Sequence, residues 1–241
     1  RGNRKKKRIV FAIVNGALLL IMAACLITTA ILSNTLASQK EASRWRGESD
    51  MEFSQISCFI PVDEKIGLKE VSAFRTKLTE ELHKAALDID NDSTLFVDAW
   101  SCTGKVNVSS DNGKGEAAVI AVGGEFFDFH PIRLISGSYI TQRDLMKDRV
   151  LLDEDLAWLL YGGTDIAGLS MKINGVPYMI AGVVEREQDK FNTAAYTSGR
   201  GLYMSYDGYS QLIEDAGITC YELVMANPVK DFALGVAKKS F

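Results

Sequence analysis

Few side chains in this sequence have the type and spacing that catalysis requires. The two histidines are His83, on the polar flank of a predicted helix, and His130, which precedes Pro131 in a phenylalanine-rich turn. Neither has a second histidine or a cysteine at a spacing typical of metal ligands. The sequence also lacks a G-x-S-x-G nucleophile turn and a phosphate-binding G-x-x-x-x-G-K-[ST] loop. We therefore predict no catalytic residue, no cofactor-binding residue and no metal site, so any ATP would be bound by another chain.

The cysteines leave one enzymatic alternative open. Ile218-Thr-Cys220 resembles the nucleophile strand of sortase-type transpeptidases, which are also anchored by an N-terminal helix. His130 could serve as the general base, but no arginine follows Cys220 to stabilise an oxyanion. Such an enzyme predicts that Cys220 or His130 lies in a solvent-accessible cleft. Cys58, Cys102 and Cys220 allow either one disulfide with one free thiol or three unpaired thiols.

The N-terminal segment has the composition of a membrane span. Residues 9–32 form an uncharged apolar run, about 36 Å long as a helix, and a bilayer core is about 30 Å thick. Residues 1–8 carry six arginines and lysines, which predicts a cytoplasmic N-terminus and places the rest beyond the lipid bilayer. A cleaved signal peptide is the alternative, but its apolar region is usually shorter. The six cations leave a charge of −10 for the other residues, against −4 overall, which argues against nucleic acid as a partner.

Residues 33–50, beyond the span, are polar and lack proline, so we predict that the span helix continues through them as a stalk. After the stalk, alternating apolar and polar side chains predict strands, and a spacing of three and four predicts an amphipathic helix. The predicted strands are 56–62, 94–101 with a continuation or new strand at 105–109, and 116–122, and the helix is 67–87. This order is the opening half of a ferredoxin-like split β-α-β unit.

Residues 123–190 have the pattern of a β-rich subdomain. Asp153 fits the N-cap of a short helix that Gly162 and Gly163 end. Asn174-Gly175 between two apolar runs predicts a type I′ hairpin. The strands predicted in this half of the chain are 150–152, 171–173, 177–184 and 202–205.

The C-terminal residues predict a return to the first sheet. A helix over 206–216 is followed by a strand over 220–225 and a second amphipathic helix over 229–241, with Pro228 at its first position. A split β-α-β unit needs one more strand after this helix. We therefore expect the domain to be part of a longer protein.

The middle of the chain is similar to a known family. Gly137-Ser-Tyr-Ile-Thr141 with Asp144 resembles a G-x-x-[FI]-[ST]-x-x-[DE] step in MacB-like, macrolide-exporter-type ABC transporter permeases. The pieces that follow in the family's order are Val150-Leu-Leu-Asp-Glu-Asp-Leu-Ala157, Leu160-Tyr-Gly162, Asp165-Ile-Ala-Gly168 and Met171 to Val184. The last piece matches the family's G-x-x-[YF]-x-[VI]-x-G-V-V hairpin. The resemblance covers residues 123–185.

The resemblance implies an α+β extracytoplasmic domain that follows the first transmembrane helix. It implies a porter lobe at 51–122 and 202–241, interrupted by a sabre lobe at 123–201. It also implies three further membrane helices, which this sequence does not contain, a cytoplasmic ABC ATPase as partner, and a dimer of permease copies. ATP hydrolysis would then move the first helix and, through a stiff stalk, the outer domain. On that view, inserting Gly-Pro near Ser38–Lys40 would uncouple the two.

Three classes of function stay open on sequence alone. The permease subunit predicts an ATPase encoded alongside, coupled to export or to mechanical signalling. A stand-alone membrane-anchored binding or sensing domain predicts a stable monomer, and the sortase-type enzyme predicts an accessible cysteine. The transported substrate is not predicted, because the matching pieces are structural.

Overall fold

The computed structural model describes residues 2–35, 40–47, 51–85, 95–186 and 201–241, in two units, Arg1–Lys40 and Glu41–Phe241. The first unit contains helix α1, Gly2–Thr35. Its segment Val10–Leu32 has a mean hydropathy of 2.6, is not buried in the protein, and is long and apolar enough to cross a bilayer. The helix predicted over residues 9–32 is confirmed as a helix.

Polar side chains within α1 bond to the helix itself. Asn15 Nδ2 donates to Phe11 O at 2.8 Å. Thr28 Oγ1 and Thr29 Oγ1 donate to the carbonyl oxygens one turn earlier, at 2.7 and 2.9 Å. Because a lipid core offers no water, such internal bonds allow polar side chains to lie within a membrane span.

The second unit mixes helices and strands, which confirms the predicted α+β class. Its described helices are α2 (Glu41–Arg46), α3 (Leu68–Lys84), α4 (Phe126–Phe129), α5 (Glu154–Tyr161), α6 (Tyr206–Leu212) and α7 (Phe232–Ser240). Its described strands are β1 (Phe53–Phe59), β2 (Phe96–Ser109), β3 (Lys114–Gly124), β4 (Leu134–Gly137), β5 (Arg149–Asp153), β6 (Ser170–Ile173), β7 (Val176–Val184), β8 (Gly201–Ser205) and β9 (Cys220–Ala226).

Helix α2 is separate from α1, which differs from the continuous stalk helix predicted for residues 33–50. Lys40 is not helical, and α2 ends at Arg46, before Gly47 with a φ of 53°. The continuous helix predicted for residues 33–50 is therefore interrupted, while residues 36–39 and 48–50 lie outside the described residues. The burial of Glu41 explains the separate helix, because its contacts within the second unit fix the position of α2 there.

Strand β9 lies between β1 and β2 and is antiparallel to both. Helix α3 connects β1 to β2, so these two strands run parallel with β9 between them, which is a split β-α-β arrangement. The strand predicted over 220–225 thus rejoins the first sheet as expected. Helix α3 buries one apolar face, which consists of Val71, Phe74, Leu78 and Leu82.

Six strands of the sheet, starting from β2, close into a ring, and β4 pairs with β7 outside it. Strand β6 pairs with both β2 and β7, which closes the order β2-β3-β8-β5-β7-β6. Core residues from every strand of the ring, among them Val119, Leu152 and Leu202, pack together with helix α5. Because β6 pairs directly with β2, strands of residues 51–122 and of residues 123–201 belong to one sheet. The division into a porter and a sabre lobe stays a prediction.

Local capping and turn signals are confirmed. The Asp153 side chain accepts the Leu156 N–H at 2.7 Å, so it is the N-cap of α5. Gly162 ends that helix with a φ of 73°. Asn174 and Gly175 have φ values of 49° and 87°, the left-handed conformations that a type I′ turn requires.

Several predicted boundaries are wrong by a few residues. Strand β1 spans Phe53–Phe59 rather than 56–62, and α6 ends at Leu212, where Ile213 becomes extended. Helix α7 begins at Phe232, so Pro228 is not its first position. The reason is a turn closed by the Phe232 N–H bond to Val229 O at 3.1 Å, which precedes the helix.

Candidate functional site

Charged side chains join helix α2 to helix α4. Glu41, the first residue of α2, is only 3% exposed, and Arg44 one turn later forms an ion pair with its carboxylate. Arg44 Nη2 also donates a hydrogen bond of 2.6 Å to the main-chain oxygen of Asp128 in α4. The bond to Asp128 connects the segment that follows the apolar helix in sequence to a residue 84 positions away.

His130, at the end of α4, faces a carboxylate of the sheet. Its Nε2 is 2.5 Å from Oε2 of Glu222 on β9, and Glu222 is only 6% exposed. Ser57 Oγ on the neighbouring strand β1 donates to the other carboxylate oxygen at 3.3 Å. The imidazole stacks on Phe126, with ring centroids 4.5 Å apart. The α2 cluster comprises Glu41, Arg44, Asp128, His130 and Glu222.

Burial dominates the electrostatics of Glu41. Removal from water raises the pKa of Glu41 above its ordinary value, and the hydrogen bond and charge of Arg44 offset this only in part. Glu41 therefore takes up a proton more readily than an exposed glutamate does. The sequence pattern did not predict this cluster, although an acid within the apolar strand Cys220–Ala226 was a signal that could have indicated Glu222.

The environment of Cys220 does not suit a nucleophile. Cys220 lies two positions from Glu222 on β9, so both side chains are on the same face of the sheet. Burial, with the charge of Glu222, raises the pKa of the Cys220 thiol to about 12. A nucleophilic cysteine needs a lowered pKa. All four cysteines are free thiols in this structure.

The other face of the sheet holds a second buried charge. Asp98 on β2 is 3% exposed and accepts hydrogen bonds from Arg75 Nε at 2.6 Å and from the Tyr221 hydroxyl at 2.5 Å. The Arg75 guanidinium lies 4.9 Å from the centroid of the Trp100 ring. Burial first, and then the charge of Asp98, raise the pKa of Tyr221, so its hydroxyl remains a donor. This network ties α3 to the centre of the sheet.

Asp153 is the fourth buried acid. Its Oδ1 accepts the Leu156 N–H, and its Oδ2 accepts the Gly201 N–H at 2.6 Å, which links the end of β5 to the start of β8. Burial raises its pKa to about 6, although the two main-chain hydrogen bonds act in the opposite direction. These contacts give Asp153 a structural role.

The other predicted candidates stay apart from these clusters. His83 is exposed near the end of α3. Across the described part of the chain, no group of three or more histidine, cysteine, aspartate or glutamate side chains is arranged to hold a metal ion.

With the fold and these clusters described, comparison with known proteins identifies the family. The MacB-like periplasmic core domain family matches residues 11–233, most of the chain. The chain therefore belongs to the MacB-like periplasmic core domain family, a domain of ABC transporter permeases. A search of the curated proteins finds no match.

Three solved structures, of transporter and permease domains, are similar to this chain. One is the extracellular domain of the noncanonic ABC-type transporter YknZ from Gram-positive bacteria, with a TM-score of 0.48, 13% identity, and coverage of 76% of this chain and 88% of that one. Another is the periplasmic region of MacB from Actinobacillus actinomycetemcomitans, with a TM-score of 0.45, 17% identity, and coverage of 67% and 69%. A domain of a putative permease protein from Porphyromonas gingivalis has a TM-score of 0.40, 17% identity, and coverage of 66% and 75%.

Proposed function

We propose that this chain is the outer domain and first transmembrane helix of an ABC transporter permease that couples ATP hydrolysis by a separate ATPase to export or mechanical signalling. The observation that carries the proposal is the family match over residues 11–233, which spans both the apolar helix and the α+β unit. The N-terminal cations stay in the cytoplasm, and the second unit lies on the other side of the membrane. Two permease copies and a cytoplasmic ABC ATPase complete the assembly.

The α2 cluster is the part of the structure best suited to transmit motion. Residues Glu41–Arg46 follow the apolar helix in sequence and belong to the second unit. The Arg44 hydrogen bond to the main-chain oxygen of Asp128 links α2 to α4, so a displacement of α2 would be passed to the helix that precedes His130. Coupling through this contact replaces the stiff continuous stalk, which Lys40 interrupts.

Arg44→Ala in the intact transporter complex tests this coupling. The measurement is hydrogen–deuterium exchange of residues 95–186, compared between the nucleotide-free and the vanadate-trapped complex. We expect the parent complex to show a difference between the two states. We expect the Arg44→Ala complex to lose that difference while its ATPase turnover continues, because motion of α2 no longer reaches α4.

Arg143→Ala is the matched control, because it removes the same charge from an exposed position outside the α2 cluster. It should retain the exchange difference of the parent. An undiminished difference in Arg44→Ala would refute coupling through α2. A parent complex with no nucleotide-dependent difference, or a chain that binds no ABC ATPase, would instead favour a stand-alone anchored domain.

A further inference from the structure

Three asparagines in this chain are followed directly by glycine: Asn15, Asn112 and Asn174. Asparagine loses its side-chain amide most readily before glycine, because glycine has no side chain to hinder an attack by its main-chain nitrogen on the asparagine side-chain carbonyl carbon. The attack requires that the main chain rotate until the two atoms meet. The three dipeptides lie in a helix, in a hairpin loop and in a tight turn, so the structure gives them different freedom to react.

Asn174 lies in a turn that holds it away from the reactive geometry. Asn174 and Gly175 have left-handed φ values of 49° and 87°, and Ile173 pairs directly with Val176. The Asn174 N–H donates to Asn107 O at 2.8 Å, and the Asn107 N–H donates to Asn174 Oδ1 at 3.0 Å. Because the neighbouring strand holds both the main chain and the side-chain carbonyl, these bonds have to break before Gly175 N can reach the carbonyl carbon.

Asn15 is held by the apolar helix α1. Its Nδ2 donates to Phe11 O at 2.8 Å, and the regular hydrogen-bond ladder of α1 occupies the Gly16 N–H. A lipid core also lacks the water that completes the reaction.

Asn112 has neither restraint. It is exposed in the loop of residues 110–113 between β2 and β3, and its side chain makes no hydrogen bond within the described part of the chain. The loop is closed by the Ser110 N–H, which donates to Gly113 O at 2.8 Å. Ser110 Oγ accepts both the Asn112 N–H at 3.2 Å and the Gly113 N–H at 3.1 Å. The attacking nitrogen is therefore held by one acceptor that it shares with its neighbour.

We propose that Asn112 is a deamidation site of the folded chain, whereas the same dipeptide at Asn15 and Asn174 is protected by the structure around it. Gly113 N bonds to Asn112 Cγ, the Cγ–Nδ2 bond breaks, and ammonia leaves with the proton of the Gly113 N–H. Water then opens the resulting succinimide at either carbonyl, which gives aspartate or isoaspartate. The reaction needs no oxidant, and the proposal does not depend on transport.

The modification acts where the β2–β3 hairpin contacts helix α5. Ser110 Oγ donates to Leu160 O at 2.7 Å, and a carbon added at Gly113 would lie 2.6 Å from Leu159 O. Isoaspartate lengthens the main chain by a methylene group beside Gly113, and either product adds a carboxylate next to Asp111. We therefore expect deamidation to loosen the contact between the hairpin and α5.

Peptide mapping by mass spectrometry tests the proposal on the full chain in detergent, incubated at mildly alkaline pH. The chain unfolded in urea is the reference, because the Asn112 and Asn174 dipeptides are both unrestrained there. At each site the deamidation rate of the folded chain is divided by that of the unfolded chain. We expect this ratio to exceed about one-third for Asn112 and to stay below about one-tenth for Asn174, since hydrogen bonds that must break reduce the population of the reactive turn. Asn15 should keep its amide in the folded chain.

Two variants in the hairpin test the assigned step. Asn112→Gln keeps an amide but has a longer side chain that does not readily form the succinimide, so this peptide should lose the mass shift of an amide converted to an acid. Ser110→Ala removes the acceptor that holds the Gly113 N–H, so the Asn112 rate should rise roughly twofold or more while the Asn174 rate stays the same.

Three results would overturn the proposal. The first is an equal ratio of folded to unfolded rate at Asn112 and Asn174, or loss of the Asn15 amide as fast as that of Asn112. The second is a mass shift that persists in Asn112→Gln. The third is an Asn112 rate that stays the same or falls in Ser110→Ala.

Discussion

The buried carboxyl of Asp153 makes a quantitative prediction about stability and pH. Asp153 is 2% exposed, and burial raises its pKa from 3.8 to about 6. A carboxyl whose pKa is higher in the folded state binds its proton more tightly there than in the unfolded chain. The free energy of unfolding therefore falls as the pH rises from about 4 to about 6, and the loss is complete above that range.

The size of this effect follows from the shift of about two units. One unit corresponds to 1.36 kcal/mol, so ionised Asp153 reduces the free energy of unfolding by about 3 kcal/mol at neutral pH. Asp153→Asn removes the ionisation but keeps an oxygen for the Leu156 N–H, and asparagine is as good an N-cap as aspartate. The amide of the variant faces the Gly201 N–H much as a protonated carboxyl would. Because the amide does not titrate, any loss of stability from this contact is the same at every pH.

Urea unfolding of the full chain in detergent, followed by tryptophan fluorescence, measures the difference between the parent and Asp153→Asn. We expect the variant to gain about 2–3 kcal/mol relative to the parent between pH 4 and pH 7. Asp155→Asn is the control, because that aspartate lies in the same helix with an exposed side chain. Parallel pH profiles of the parent and Asp153→Asn would refute the assigned burial of the charged carboxyl.

Three other variants and reactions test the packing. Gly123→Ala should lower stability by about 1–3 kcal/mol, because the new Cβ would lie 2.2 Å from Trp100 Nε1. Gly163→Ala is the control, because its new Cβ meets no atom within 4 Å. Equal melting temperatures of the two variants would contradict this prediction. Asp98→Ala should cost about 3–5 kcal/mol in urea denaturation, because it leaves a guanidinium unpaired, and a loss below about 1 kcal/mol would be inconsistent with that network. Cys220 should react with a maleimide at pH 8 far more slowly in the folded than in the unfolded chain, since burial raises its pKa to about 12. Similar rates in the two states would contradict the burial of Cys220.

Signals that act over a few residues were sufficient to predict much of the secondary structure. The Asp153 cap and the Asn174-Gly175 turn depend on backbone geometry within one turn of chain, so the residue types alone specify them. Gly104, by contrast, lies inside the continuous strand β2 without breaking it. An added Cβ there would lie 2.0 Å from the Tyr209 hydroxyl, so the glycine allows the close approach of α6.

Contacts between distant residues could not be predicted in this way. Nothing near His130 in the sequence indicates Glu222, which lies 92 positions later and reaches it only because β9 pairs between β1 and β2. The second pairing of β6, to β2 as well as to β7, has the same origin, because register across a sheet is set by the whole set of strands. The packing of α2, with buried Glu41, on β1 and β9 also overrode the local helical pattern that predicted a continuous stalk.

The side of the membrane on which the second unit lies is the most direct test of the account. Asp111→Cys, in the exposed turn between β2 and β3, and Asn3→Cys, before the apolar segment, are expressed separately in bacterial cells converted to spheroplasts. A membrane-impermeant maleimide is applied, with the parent chain as the background control. The account predicts that the thiol at position 111 is labelled in intact spheroplasts and the thiol at position 3 only after lysis. Labelling of position 3 in intact spheroplasts, with position 111 protected, would contradict it.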